Sequence, residues 1–427
     1  MWFKKGGRTW LAFGLCFTLV LAVGAGSVEA KKSEKKQQKK SAKQQSNVSE
    51  AKTRDLTQEQ LLAKLDDYKK EVTEERQAME DAAFRRIERE YKAHQETGAP
   101  FVRDIMIISG GGAKGAFGAG FFLGWETVSG ELAIPEFDVV TGVSTGALIA
   151  PYAFIGKKES YTEIADFYAN PDPNWSKKRG ALYLKPSHVS LFNDDLLQQT
   201  VRDNFDSAMI QELADGAAED RMLQIGATNL DFGIGRIFGM GLEAIRAADG
   251  GSPDRIHSIL LASSAIPGIF PPVVIDDLYY GDGGATANLT VFVSEEFNAR
   301  WRKAHPDASL PKYRIWVLVN QQLRIEPAVT KPKWISVAGR GLGTATHTLQ
   351  LFAMQLLHRI VTEYNEIEGM DVELRWVAIP DDAPKKATKQ MFDKEYMVKL
   401  QELGKKMGAD PSSWKTEIPQ IYTFETE

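Results

Sequence analysis

Asp104-Ile105-Met106-Ile107-Ile108-Ser109-Gly110-Gly111-Gly112-Ala113-Lys114-Gly115 decides the fold of this chain. The continuous apolar run Ile105–Ile108 reads as a short strand buried on both faces. It passes directly into a glycine-rich loop. Ala116–Val128 follows, rich in small and apolar residues at helical spacing. Thirty residues on, the pattern repeats. Phe137–Thr141 reads as a second strand, Gly142-Val143-Ser144-Thr145-Gly146 as its loop, and Ala147 to about Ile155 as the next helix. Two consecutive strand–loop–helix units place their strands side by side in a right-handed arrangement. Both loops then leave the same C-terminal edge of a parallel sheet, where open α/β sheets bind ligands.

Gly142-x-Ser144-x-Gly146 has the spacing of a nucleophile elbow. A serine on a sharp strand-to-helix turn needs very small neighbours two residues away. The helix behind it aims backbone N–H groups and its positive dipole end at the serine. Gly110-Gly111-Gly112 supplies the complement, a loop whose N–H groups approach a developing oxyanion without side-chain hindrance. Lys114 adds positive charge beside it. Gly110-x-Gly112-x-x-Gly115 also fits a dinucleotide fingerprint. That reading requires an acid at the end of the next strand, whereas Asp138 stands near its start. A P-loop is excluded because no Ser or Thr follows Lys114.

A serine hydroxyl needs a base. The six histidines are His94, His188, His257, His305, His347 and His358, and none follows a buried strand in a glycine loop. Asp282 does sit between glycines, in Tyr280-Gly281-Asp282-Gly283-Gly284 after the apolar segment Val273–Ile275. Burial near the serine would raise its pKa and suit it to take a proton. A Ser-Asp-His triad using His347 or His358 stays open as the alternative.

Together these residues resemble the patatin-like phospholipase family. The resemblance rests on Gly110–Gly115, on Gly142–Gly146, on Asp282-Gly283-Gly284 and on Ala262-Ser263-Ser264-Ala265-Ile266-Pro267-Gly268-Ile269-Phe270-Pro271-Pro272. Asn193–Leu197 and Ala227–Leu230 add weaker support. It covers residues 102–290. It implies an α/β three-layer sandwich with a mainly parallel central sheet, and hydrolysis of acyl-ester lipids through an acyl-enzyme. Ser144 would be the nucleophile, Asp282 the base, and Gly110, Gly111 and Gly112 the oxyanion loop. Lys114, Gly115, Gly142, Gly146, Gly283 and Gly284 would complete the motifs. No metal or cofactor enters that chemistry. A non-catalytic lipid-binding or scaffold protein on the same fold is the alternative from another class.

The flanks read differently. Residues 1–30 have a basic start at Lys4, Lys5 and Arg8, the apolar run Trp10–Val23, and Val28-Glu29-Ala30 before a cleavage point. That order predicts a signal peptide and export to a periplasm or the exterior; an uncleaved anchor is the alternative. Residues 31–57 are a Lys/Gln/Ser-rich linker expected to be disordered. They act either as a solvated spacer or as a tether to anionic lipid. Residues 58–97 form a helical segment, with Leu61, Leu65, Tyr68, Val72 and Met79 on one stripe and Gly98 closing it. The stripe docks on the body or pairs with a second chain. Residues 170–190 read as a loop in which Trp175 and the basic run Lys177–Arg179 form a lid or membrane-facing edge, or plain surface. Residues 291–427 extend the same α/β body, with strands at 314–320 and 372–379 and helices at 349–364 and 391–406.

The net charge of −5 gives no support for a nucleic-acid partner. It also hides an asymmetry. Residues 1–30 carry three positive groups and one negative, and residues 31–57 nine and three, so the remainder carries −13. The single cysteine, Cys16, excludes an internal disulfide framework and lies in the leader.

Overall fold

A computed structural model describes residues 56–178, 189–290, 295–324, 327–367 and 369–417. The leader 1–30, nearly all of the linker 31–57, Arg179-Gly180 of the basic run and His188 lie outside the described residues. Along the chain run α1 (Gln58–Ala63), α2 (Leu65–Thr97), β1 (Val102–Ile108), α3 (Gly115–Trp125), β2 (Val139–Val143), α4 (Thr145–Ile155) and α5 (Lys158–Ala169). A two-strand ribbon, β3 (Lys177–Lys178) with β4 (Phe192–Asn193), precedes α6 (Asp195–Asn204) and α7 (Ser207–Ala218). Then come β5 (Met222–Asn229), β6 (Ile234–Gly239), α8 (Met240–Ala248), α9 (Asp254–Ser264), β7 (Val273–Ile275) and β8 (Leu278–Asp282). The last elements are α10 (Glu295–Ala304), β9 (Lys312–Val319), α11 (Trp334–Asn365), β10 (Asp371–Ala378) and α12 (Lys394–Gly408).

Eight strands form one mixed sheet in the order β10-β9-β1-β2-β5-β8-β7, with β6 also on β5. β10, β9, β1, β2 and β5 are mutually parallel, whereas β6, β8 and β7 run antiparallel to their neighbours. The mainly parallel expectation is therefore correct for the half that holds both glycine loops. In the antiparallel half, β6 follows β5 and β8 follows β7 through short turns that leave no room for a crossover helix.

Alternation along the strands separates two cores. Met106 and Ile108 of β1 join Trp316 and Leu318 of β9 on one face, with Phe117 and Phe121 of α3. Ile107, Ile315 and Val317 point the other way, to Met354, Leu357 and Val361 of α11. Helices thus cover both faces. β9 and β10, far along the chain, supply two of the five parallel strands.

The C-terminal helix packs with unusual closeness. Gly120 and Gly124 of α3 face Gln401 and Lys405 of α12, while Gly404 and Gly408 face Phe117 and Phe121. A Cβ on any of the four would collide with a backbone carbonyl of the other helix. Because α3 starts at the glycine loop, α12 braces that loop from behind. Gly404→Val is expected to force the helices apart, lower stability by about 1–3 kcal/mol or more, and reduce Tm in thermal unfolding. An unchanged Tm would refute the close crossing.

The long helix α2 docks on the body, resolving the choice left open by its sequence stripe. It buries Tyr68, Met79, Phe84 and Ile87. Its buried Glu75 pairs with the buried Arg236 and accepts the Gly239 N–H. Arg86 bonds Asp138 at 2.6 Å, and Arg89 pairs with Asp220. Asp138, unsuited to a ribose, is thus a buried structural acid that also accepts the Asp104 N–H at 2.7 Å. Gly98, at φ 72°, ends the helix by donating its N–H to the His94 carbonyl.

Candidate active site

β5 brings the two distant motifs together by register. Its Gly226 lies opposite Val143, the last residue of β2. The next residue, Ala227, lies opposite Asp282, the last residue of β8. Ser144, directly after Val143, and Asp282 therefore meet across consecutive positions of one strand. Gly226 and Gly283 allow this approach, since a Cβ on Gly283 would come within 2.5 Å of the Gly226 carbonyl.

Ser144 has φ 54° and ψ −124°, in the left-handed region that favours glycine. Holding a non-glycine residue there costs about 1–3 kcal/mol. The surroundings hold it on both sides. A Cβ on Gly142 would collide with the Gly146 carbonyl, and one on Gly146 with the Ile108 carbonyl. The Ser144 N–H donates to Ser263 Oγ at 2.9 Å, and the Ser263 hydroxyl donates to the Gly226 carbonyl at 2.6 Å. α4 begins immediately afterwards, with its N-terminus at the serine.

The Ser144 hydroxyl donates to Asp282 Oδ2 at 2.6 Å. The other carboxylate oxygen, Oδ1, accepts the Gly284 N–H at 2.7 Å. Both residues are buried. Burial pushes the Asp282 carboxyl up to about 6, while the bonds from Ser144 and Gly284 pull it partly back.

The histidine alternative is not met geometrically. His347 Nε2 lies 2.9 Å from the Leu323 carbonyl, and burial lowers its pKa. His358 lies beside Thr362, one turn away on α11. His257 and His94 are likewise engaged with the Phe205 and Ala99 carbonyls, and His305 sits against Trp301.

The glycine loop divides in function. Gly110 does not face the cavity; its N–H already donates to Asn288 Oδ1 at 3.1 Å, which corrects its assignment as an oxyanion donor. Gly111 and Gly112 do line the cavity, together with Lys114, Ser144 and Asp282. Gly111 is pressed against the Asn320 backbone, where no Cβ fits. Gly115 abuts Thr145 and Tyr168, whose hydroxyls bond each other. Gly284 lies beside both Asp282 and Asn288.

The cavity holds about 720 Å³, and Lys385, Lys386 and Tyr396 line its far side. A narrower apolar pocket of about 40 Å³ opens beside Ser144, walled by Leu148, Phe167, Trp175, Phe270 and Phe392. Trp175 is buried there, stacked on Phe167 at 4.9 Å, so it is not the membrane-facing edge its loop position suggested. A separate apolar cavity of about 140 Å³ lies at the opposite, N-terminal ends of the strands, under α2, and contains none of the motif residues.

Ser263, Asn288 and Asn320 are supporting residues that sequence reading did not single out. Asn320 donates its side-chain N–H to the Ser109 carbonyl at 2.9 Å, and Asn288 bonds Gln350 at 2.5 Å. Ser263 lay inside the motif Ala262–Pro272; the two asparagines carry no local signal.

A hydroxyl on a strained elbow, bonded to a buried carboxylate beside a glycine loop, is the arrangement of a serine-dependent hydrolase. Residues 106–293 match the model of the patatin-like phospholipase family. Members of this family are lipid acyl hydrolases. Two solved structures are similar. VipD from Legionella pneumophila is 13% identical, with 75% of this chain and 68% of that one covered and a TM-score of 0.33. The type III effector protein ExoU is 13% identical, with 73% and 53% covered and a TM-score of 0.30. A search of curated proteins finds no match.

Proposed function

We propose that this protein hydrolyses acyl esters of phospholipid-like substrates through a Ser144–Asp282 dyad. The observation that carries the reading is the 2.6 Å bond from the Ser144 hydroxyl to Asp282 at the wall of a cavity bordered by Gly111 and Gly112. Asp282 takes the Ser144 proton as Oγ attacks the ester carbonyl. The Gly111 and Gly112 N–H groups receive the oxyanion. Asp282 returns the proton to the leaving alcohol, leaving an acyl group on Ser144. It then takes a proton from water as the water attacks the acyl-enzyme, and passes that proton to Ser144 Oγ as the acyl–Oγ bond breaks and the fatty acid leaves. The apolar pocket beside Ser144 suits the carbons of the acyl chain nearest the ester. Lys114, Lys385 and Lys386 give the cavity a positive lining suited to a phosphate-bearing headgroup.

A fluorophosphonate probe is expected to label folded protein at Ser144. Absence of label would favour the non-catalytic lipid-binding reading.

The leader and linker belong to the same proposal. Export with cleavage after Ala30 would leave Lys31 at the mature N-terminus, which N-terminal sequencing of the purified protein checks. The body of charge −13 is repelled by anionic lipid, while residues 31–57 carry nine basic groups. Deleting 31–57 is expected to weaken binding to anionic vesicles by about tenfold or more at low salt. Unchanged binding would make the segment a spacer.

A further inference from the structure

The N-terminal part of α11 borders the cavity through Gly339, Leu342, Gly343 and Thr346. Farther along, Met354, Leu357 and Val361 anchor the helix to the sheet. Its remaining face is apolar and bare. Trp334 is 68% exposed, Val337 56%, Phe352 58% and Leu356 59%, with Leu349 also exposed. At about 100° per residue these positions share one side of the helix. From Trp334 to Leu356 the sequence contains one charged residue, Arg340. The exposed Lys331 and Lys333 stand just before Trp334. An apolar stripe of this size on a helix normally marks a contact surface.

We infer that this stripe seats on a phospholipid surface and presents the mouth of the cavity to it. The inference rests on the acyl-ester reading of that cavity. Continuity selects the occupant: one helix carries the bare stripe and the cavity edge, so lipid held on the stripe lies next to the entrance to Ser144. A second copy seated there would instead cover Leu342 at that edge. The composition is that of a helix lying in a membrane interface, with a tryptophan at one end and lysines beside it. No described helix is long and apolar enough to cross a membrane, which suits contact in the plane. The glycines add a second observation. Gly339, Gly341 and Gly343 meet nothing that a Cβ would touch, unlike the packed glycines of α3 and α12. Each weakens a helix relative to alanine, so the segment over the cavity is locally soft and can adapt to a surface.

The test uses the full chain with phosphatidylcholine vesicles at high salt, which removes any contribution from the basic linker. F352E/L356E is expected to lose vesicle co-sedimentation and vesicle hydrolysis by about tenfold or more, with turnover of a water-soluble short-chain nitrophenyl ester unchanged. Unchanged vesicle binding would overturn the inference. So would a lipid-free dimer of the wild-type chain that the double variant splits into monomers. Binding that depends on the stripe, with no hydrolysis of either ester, would uphold the surface and overturn the acyl-ester reading. As a measurement free of folding damage, F352C in a C16S background carries an environment-sensitive dye. Its emission is expected to shift to the blue on adding vesicles, and a constant spectrum would overturn the inference.

Discussion

Ser144→Ala is expected to lower ester turnover by about 10⁴-fold or more, because it removes the hydroxyl proposed to carry the acyl intermediate. The fold should survive. Ser144 is buried, and alanine removes a single oxygen without creating a collision. The strained backbone is held by Gly142, Gly146 and the bond from its own N–H to Ser263, none of which needs the hydroxyl. The variant should therefore unfold at a Tm close to that of the wild type while losing fluorophosphonate labelling. Retained turnover would place the nucleophile elsewhere.

Asp282→Asn separates activity from stability. Loss of the base is expected to reduce turnover by about 10²–10⁴-fold, yet the fold should gain stability at neutral pH. The sign follows from burial. The folded-state pKa is raised from 3.8 to about 6, so the native state holds this proton more tightly than the unfolded chain does. The stability this group contributes is present below about pH 4 and is lost as pH rises through about 6. At pH 7 the charged carboxylate thus costs on the order of 1–3 kcal/mol. Asparagine removes that charge, and its amide can still accept from Gly284 and meet the Ser144 hydroxyl. A Tm gain at pH 7 that shrinks below pH 4 is the expected result; a Tm loss at pH 7 would contradict it. The same ionisation shapes the wild-type rate. As the proposed base, Asp282 would act only when deprotonated, so kcat/KM should rise with pH and level off above about 6. An acid limb that instead followed a lowered histidine pKa, and vanished in His347→Ala, would return the triad to consideration.

Much of the site was legible because its glycines are required by close packing. Gly142 and Gly146 touch backbone on either side of Ser144, and Gly283 touches Gly226, so the motifs record contacts. What joins them was not legible. Ser144 and Asp282 lie 138 residues apart, and only the pairing of β5 with both β2 and β8 brings them together. No local pattern announces that register. β6 and the antiparallel edge escaped for the same reason: short strands after turns carry little periodic signal. The engagement of Gly110 with Asn288 depends on a contact across 178 residues.

At the other end of the chain, the strand at 314–320 is in fact Lys312–Val319, a shift within the usual uncertainty of boundaries. The helix placed at 349–364 begins fifteen residues earlier, at Trp334. Its first turns combine glycines, which oppose a helical reading, with apolar side chains that face outward instead of toward a core. Sequence periodicity assigns such a face to the interior, and here the interior is not where it points.

The most direct test of the central claim is lipid mass spectrometry after incubating the protein with mixed phospholipids, with Ser144→Ala run in parallel. Free fatty acid and the matching lysophospholipid are expected from the wild type, and neither above background from the variant. Folded wild-type protein that releases no fatty acid, or a variant that releases as much, would contradict the claim.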